Sequence, residues 1–268
     1  MPIEMPRLGL GTHTDDDRAR RRDAVSDALD LGYRHIDTAE VYGNERYVGR
    51  GIEDADVDRE EIFLATKTVH HDVPERVEAV RDAIEGCLDR LGVTYVDLLY
   101  VHWPTGVYEA EPVFETFEEC YEEGLIENIG VSNFLPEQLM EAREVLDAPI
   151  AAHQFEAHPL LPQEELRADA REHDYWAVAY SPLAKNAVAD DGTLVEIAND
   201  RGVSAQQVSL AWLLSKENVA VVPRATSRGH LADNLAALDL DLTTEERERI
   251  EDIGERKRVI DPERAPWN

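Results

Sequence analysis

Ile62-Phe63-Leu64-Ala65-Thr66-Lys67 is an apolar run that ends on a lysine, and it reads as a buried strand. Behind it, Val77, Val80, Ile84, Leu88 and Leu91 recur at the 3.6-residue period of a helix. Pro74 lies near the start of that helix and Gly92 just past its end, the usual asymmetry of helix termini. A second apolar run, Val96–Trp103, follows. The same order of strand, turn and helix extends in both directions. The other strand candidates are Tyr33–Thr38, Ile126–Ser132, Ala151–Glu156, Trp176–Ser181, Val219–Arg224 and a short one near Leu238–Leu242. Pro136 opens a helix over Glu137–Leu146. Ser204–Leu214 and Thr243–Ile253 read as helices with Ser204 and Thr243 as N-caps.

Eight strands alternating with helices in 268 residues match an α/β fold of the (β/α)₈ type, a TIM barrel, spanning residues 1–268 as a single domain. An open doubly wound sheet gives the same alternation. No G-x-G-x-x-G follows the first strand, however. Gly9-Leu10-Gly11-Thr12-His13-Thr14 has two glycines in register and reads better as a tight turn between short N-terminal strands than as a dinucleotide loop.

In a parallel barrel the C-terminal strand ends share one rim, where active sites are built. Here those ends carry Asp37, Lys67, His102, Ser132-Asn133, Gln154, Tyr180-Ser181 and Arg224. Turn chemistry alone does not account for polar residues at seven of eight ends. Lys67 is the sharpest of them. The chain has 57 acidic and 27 basic side chains, and only Lys67, Lys185, Lys216 and Lys257 are lysines. A buried ammonium needs an anion, and Asp37 supplies one. Tyr42 follows Asp37 by five residues, a spacing that lets a loop fold it back over the strand end. A tyrosine beside a cation is expected to ionise more easily than its reference value of about 10, which suits it to general acid work. His102 can donate to a substrate oxygen. Such a site polarises and protonates a carbonyl, and since no side chain donates a hydride, a nicotinamide cofactor is implied.

The net charge of −30 argues against nucleic-acid and anionic-membrane partners, which require basic patches. Excess carboxylate with few lysines resembles surfaces adapted to concentrated salt. Cys87 and Cys120 sit in helix-like segments and read as small buried residues. Met1-Pro2 opens no leader and no apolar run reaches membrane-spanning length, so a cytoplasmic location is expected; separately, the chain is expected to be a monomer. His70-His71 and His153/His158 invite a metal reading, but adjacent histidines diverge on an extended chain. The second pair has only Glu156 nearby, so no metal is expected.

Together these residues carry a family resemblance. Gly32-Tyr33-Arg34-His35-Ile36-Asp37-Thr38-Ala39 and Tyr42-Gly43-Asn44-Glu45 closely resemble the signature of the aldo-keto reductases. Thr66-Lys67, Asp97-Leu98 through His102-Trp103-Pro104, Gly130-Val131-Ser132-Asn133-Phe134, His158-Pro159 and Ala179-Tyr180-Ser181-Pro182-Leu183 continue it in order, from about Met5 to the C-terminus. The resemblance implies a barrel that binds NADPH extended over the strand ends and reduces aldehydes or ketones. It implies Tyr42 as proton donor, tuned by Lys67 and Asp37, with His102 orienting the carbonyl. Ser132, Asn133 and Gln154 would hold the nicotinamide carboxamide, and Tyr180 would stack on the ring. Thr12 and the stretch Ser181–Leu183 belong to the cofactor side. Pro223–Asn234 corresponds to the adenosine-phosphate clamp, with Arg224, Ala225, Thr226, His230, Asp233 and Asn234 as its contacts.

The chain departs from the family pattern at five positions. Arg224-Ala225 replaces the usual Lys-Ser, and His230 stands where an arginine is common. Arg224 can still grip a 2′-phosphate, so NADP(H) is expected, with NAD(H) left open. His13 replaces a common tryptophan, and Val69 a common aromatic, so the substrate pocket of His102, Trp103, His13 and Trp267 loses aromatic walls. The segment after His102 is short, which suggests an open, permissive cleft. Two other readings stand beside the reductase: a metal-dependent barrel hydrolase, and a non-catalytic nicotinamide-binding regulatory or partner subunit.

Overall fold

The computed structural model describes residues 3–13, 19–70, 79–106 and 108–268. Pro74, Val77, His71 and Thr14 lie outside the described residues. Eight parallel strands stand in chain order, each paired with the next: β1 (Leu10–Gly11), β2 (His35–Asp37), β3 (Phe63–Thr68), β4 (Leu98–Val101), β5 (Ile129–Ser132), β6 (Ile150–Glu156), β7 (Trp176–Tyr180) and β8 (Val219–Val221). Parallel bridges Leu8–Val221 and Gly11–Arg224 join the last strand to the first. The backbone N–H groups of Gly9 and Gly11 donate to Val221 O (2.9 Å) and Pro223 O (3.1 Å). The sheet is thus closed into a (β/α)₈ barrel and has no open edge.

Between strands run α1 (Arg20–Leu31), α2 (Glu45–Asp54), α3 (Val80–Leu91), α4 (Ala110–Glu122), α5 (Pro136–Val145) and α6 (Glu164–Glu172). Then come α7 (Gly192–Arg201) and α8 (Ala205–Leu214) in tandem after β7, and α9 (Arg228–Ala236) and α10 (Thr244–Glu251) after β8. The termini follow local chemistry. Gly92 ends α3 in the left-handed region at φ 72°, where L-residues are disfavoured. Ser204 and Thr243 cap α8 and α10 by accepting the N–H three residues on, and their own N–H groups donate back to the Gln207 and Glu246 side chains.

Two expectations need correction. Gly9–Thr12 is not a turn between small strands, because Leu10–Gly11 is itself a barrel strand. The glycines serve close packing: a Cβ on Gly11 would lie 2.5 Å from Val222 O, and one on Gly9 2.7 Å from the His35 ring. Leu238–Leu242, in turn, is no strand. It begins as a short 3₁₀ turn, Ala237–Asp239, and continues as irregular chain. With β1 paired to both β2 and β8, the sheet has no edge left for it.

The strand alternation positions the site. Inside the barrel, Phe63 and Ala65, Leu98 and Tyr100, Ala152, Trp176 and Val178, and Ala220 and Val222 pack as one apolar cluster. Gly130 leaves room for the Tyr100 ring, which a Cβ there would approach to 2.6 Å. Side chains two residues apart share a face. The next inward positions along these strands are therefore Lys67, His102, Ser132, Gln154, Tyr180 and Arg224. The polar layer is the last rung of the same ladder that fills the core. Cys87 and Cys120 are buried and unpaired in α3 and α4.

Candidate active site

At the rim Asp37 takes two donors. Lys67 Nζ donates to its Oδ1 at 2.5 Å and Gln154 Nε2 to its Oδ2 at 2.7 Å. Lys67 also donates to Thr38 O at 2.8 Å. Lys67 is 1% exposed and Asp37 3%, so each ion is taken out of water against the other. Such a pair costs desolvation and is tolerated only with good geometry and further hydrogen bonds, and both are present. Burial lowers the Lys67 pKa from its ordinary value, with the Asp37 carboxylate opposing.

Tyr42 ends a 3₁₀ turn, Glu40–Tyr42, that Gly43 closes at φ 61°. Its ring centroid lies 5.5 Å from Lys67 Nζ. The turn is held at both ends. Before Tyr42, Glu40 accepts from Arg90 Nη2 (3.2 Å) and Thr68 Oγ1 (3.0 Å). After it, Asn44 accepts from Thr38 Oγ1 (3.1 Å) and donates to Thr12 O (2.8 Å). The buried Glu45 accepts from Thr66 Oγ1 and Arg90 Nε, both at 2.7 Å. The sequence assigns no role to Arg90, Glu40, Glu45, Thr66 or Thr68, although Glu45 and Thr66 stand in the motifs that carry the family resemblance. Their one visible signal is two threonines flanking Lys67 on an otherwise apolar strand.

The expected sign of the Tyr42 shift is corrected. Burial pushes its hydroxyl well above the ordinary tyrosine value, and the negative charge of Asp37 adds to this, as does Tyr180. Lys67 does not reverse the sign, because its charge is compensated by Asp37 and its protons point to Asp37 and Thr38 O. Tyr42 therefore holds its proton throughout the neutral range.

Rings gather around Tyr42. His13 meets it edge-to-face at 4.9 Å and His102 at 5.8 Å. His70 packs against His102 at 4.9 Å and lies 6.4 Å from Trp103. Trp267, from the C-terminal tail, lies 5.6 Å from Trp103. Val69 proves to be a core residue, fully buried with φ 60°. A β-branched residue in the left-handed region is a genuine outlier, and the turn it makes brings His70 to the cleft. The ring missing at position 69 is thus supplied one residue later. His153 and His158 have other partners: His153 Nε2 accepts the Phe134 N–H at 3.2 Å, and His158 Nε2 faces Glu156 at 2.9 Å. Burial holds His153 near pKa 3 and so neutral.

A polar wall runs from β5 to β7. Asn133, left-handed at φ 63°, donates to His102 O and Ser132 Oγ, each at 3.0 Å, and accepts from the Tyr180 hydroxyl at 2.7 Å. Ser132 pairs in register with Gln154. Beyond Tyr180 the chain turns through left-handed residues at Ser181, Ala184, Lys185 and Asn186, with Leu183 half-buried among them. After β8, Arg224 is exposed and makes no ion pair with a described residue. Ala225 is buried, Thr226, His230 and Asp233 are exposed, and Asn234 is buried. Ser227 caps α9 by accepting the His230 N–H at 3.2 Å, and Tyr33 Oη donates to Leu231 O at 2.9 Å. Amide and hydroxyl groups at one end, and at the other an exposed guanidinium in the loop that leads into α9, fit an elongated cofactor with a carboxamide head and a phosphate tail.

Among the described residues no helix is long and apolar enough to cross a membrane, and no three metal-ligating side chains converge.

Comparison with known proteins agrees with this geometry. Residues 7–255 match the Aldo/keto reductase family. The 9,11-endoperoxide prostaglandin H2 reductase of Trypanosoma cruzi is 36% identical over 260 residues, covering 96% of this chain and 90% of that protein. An aldo-keto reductase of Mycobacterium marinum is 38% identical over 259 residues, covering 95% and 90%. Among solved structures, a putative 2,5-diketo-D-gluconic acid reductase B superposes with TM-score 0.92 at 34% identity, over 97% of this chain and 92% of that one. The aldose reductase of Schistosoma japonicum superposes with TM-score 0.88 at 29% identity, over 96% and 91%. The chain belongs to the aldo/keto reductase family and is an NAD(P)H-dependent oxidoreductase that reduces carbonyl compounds.

Proposed function

We propose that this enzyme reduces small aldehydes or ketones with NADPH, that Tyr42 delivers the proton, and that the chain works as a cytoplasmic, single-domain monomer. The observation that carries the reading is the buried Asp37–Lys67 pair beneath the Tyr42 ring, with His102 beside it at the next strand end. When bound, the nicotinamide supplies the hydride. The protein's part is to hold the carbonyl oxygen between the Tyr42 hydroxyl and His102, in a cleft walled by His13, Trp103 and Trp267. A reactant held there reacts as part of one assembly rather than by encounter. As negative charge develops on that oxygen, Tyr42 Oη gives up its proton. The phenolate left behind, on a half-buried ring, would have no cation near it but for the Lys67 ammonium 5.5 Å from the ring centroid. Asp37 and Thr38 O fix that ammonium in place. Lys67 thus lessens, without cancelling, the cost of the charge that Tyr42 acquires during transfer.

Ser132, Asn133, Gln154, Tyr180, the Ser181–Leu183 turn and the Arg224–Asn234 segment are the proposed cofactor contacts, with Thr12 on the same side. The preference for NADPH rests on Arg224, whose planar fork suits a 2′-phosphate. A titration following quenching of protein fluorescence should show NADPH binding at least about 10-fold tighter than NADH, and the gap should close in Arg224→Ala. Equal affinities in the unmodified enzyme would overturn the preference.

The surface charge supports a further proposal, adaptation to concentrated salt. At a net charge of −30, self-repulsion destabilises the folded chain until salt screens it. The melting temperature is expected to rise between about 0.1 M and 2 M KCl; a flat or falling profile would refute the adaptation.

A further inference from the structure

β6 ends on Glu156, a carboxylate with no exposed surface. Its Oε1 accepts the Val259 N–H at 2.7 Å and faces His158 Nε2 at 2.9 Å; its Oε2 accepts the Ile260 N–H at 2.8 Å. A buried carboxylate is tolerable only when its lone pairs are met. Two of the donors here are consecutive amides from the C-terminal tail, 103 and 104 residues away. From that anchor the tail turns back on itself. Asp261 Oδ1 accepts from Trp267 Nε1 at 2.8 Å and from Asn268 Nδ2 at 3.1 Å. The Arg258 guanidinium lies 4.0 Å from the Trp267 ring centroid, and that ring lies 5.6 Å from Trp103. Trp103 directly follows His102. The chain of contacts runs from a strand end inside the barrel to an aromatic wall of the cleft.

We infer that Glu156 is a positioning residue for substrate selectivity: its carboxylate pins the tail at Val259–Ile260 and so holds Trp267 over the cleft. The inference rests on the reading of the cleft as a carbonyl site. Glu156 touches neither Tyr42 nor Lys67, and nothing in its geometry bears on proton transfer. Glu156→Gln keeps size and one acceptor oxygen but turns an NH₂ toward the second tail amide, so donor faces donor. The tail loses one of its two anchors, and substrates that pack on Trp267 lose a wall.

The test compares a bulky aromatic aldehyde, 4-nitrobenzaldehyde, with a small one, propanal, each with saturating NADPH. Glu156→Gln should raise KM for nitrobenzaldehyde about 5- to 10-fold, the range of one lost aromatic contact. KM for propanal, kcat for both and NADPH affinity should stay within about twofold. Trp267→Ala should reproduce the nitrobenzaldehyde loss, and the double variant should add nothing to it. Independent losses, or an equal loss for propanal, would overturn the inference. Limited trypsin digestion gives a readout free of activity: cleavage after Lys257 and Arg258 should quicken in Glu156→Gln, and unchanged cleavage overturns the clamp. Should Glu156→Gln fail to fold, Val259→Pro removes a donor from the tail side alone and must give the same KM pattern, a raised KM for nitrobenzaldehyde and an unchanged one for propanal. If the unmodified enzyme reduces neither aldehyde, the carbonyl reading of the cleft fails, while the digestion still decides the clamp.

Discussion

Tyr42→Phe is expected to lower kcat about 10²- to 10⁴-fold, the usual contribution of a positioned general acid, while NADPH affinity stays within about twofold. The substitution removes one hydroxyl from a ring whose edge contacts with His13 and His102 remain, so the cleft keeps its shape. The pH profile carries the sign. A hydroxyl held well above the ordinary tyrosine value is protonated at all lower pH, and its acid function fails only as pH rises through that elevated value. Tyr42 therefore contributes no titration between about pH 5 and 9. Turnover in the variant within about threefold of the parent would remove Tyr42 from the mechanism.

The second large effect separates stability from chemistry. Lys67→Met leaves the buried Asp37 carboxylate with Gln154 as its one side-chain donor among the described residues, and breaking one side of a buried ion pair costs about 3–5 kcal/mol. Turnover should fall at least about 10²-fold as well. Replacing both partners, Asp37→Asn with Lys67→Met, removes the stranded charge, and such exchanges are often neutral in stability. The double variant should thus regain most of the melting temperature and none of the activity. If turnover returns with stability, the pair is a structural brace only. The pH dependence adds a second check. Burial lowers the Lys67 pKa while that of Tyr42 is raised, so with rising pH the ammonium discharges first. The alkaline fall in kcat should accordingly begin below the ordinary lysine value, about 10.4, and be absent from the residual activity of Lys67→Met.

Why the sequence revealed Lys67 and not Arg90 is a matter of where each charge sits. Lys67 ends an apolar run, and an ion there is costly enough to demand explanation from the run alone. Arg90 lies on the last turn of α3, where a basic residue is ordinary, and its partners Glu40 and Glu45 are far off in the chain. Only the packing of α3 against the Tyr42 turn makes it meaningful. Leu238–Leu242 misled for the opposite reason. Its leucine–aspartate alternation has the period of a strand, but Leu238 is exposed and no sheet edge remained. The real first strand, two residues built around glycine, has no apolar run to find. The Tyr42 sign was missed because proximity to a cation was weighed without the depth of the site or the anion that neutralises that cation. The polar rim itself was legible, since each rim residue continues a two-residue alternation already visible in the strand beneath it.

Closure of the barrel carries a consequence for how the molecule comes into being. Arg7, just before β1, donates to Val219 O across 212 residues of sequence. A contact so remote must wait for nearly the whole chain, and such contacts slow folding. Until it forms, β1 and β7 are raw sheet edges with unpaired backbone groups, the state in which a growing chain is most prone to stick to its neighbours. The strand that seals those edges runs on within three residues into Arg224. The proposed grip on the phosphate tail and the last stitch of the barrel would therefore form together. On the ribosome, a chain short of Val219 already has all four proposed catalytic residues, Asp37, Tyr42, Lys67 and His102, and no finished vessel to hold them.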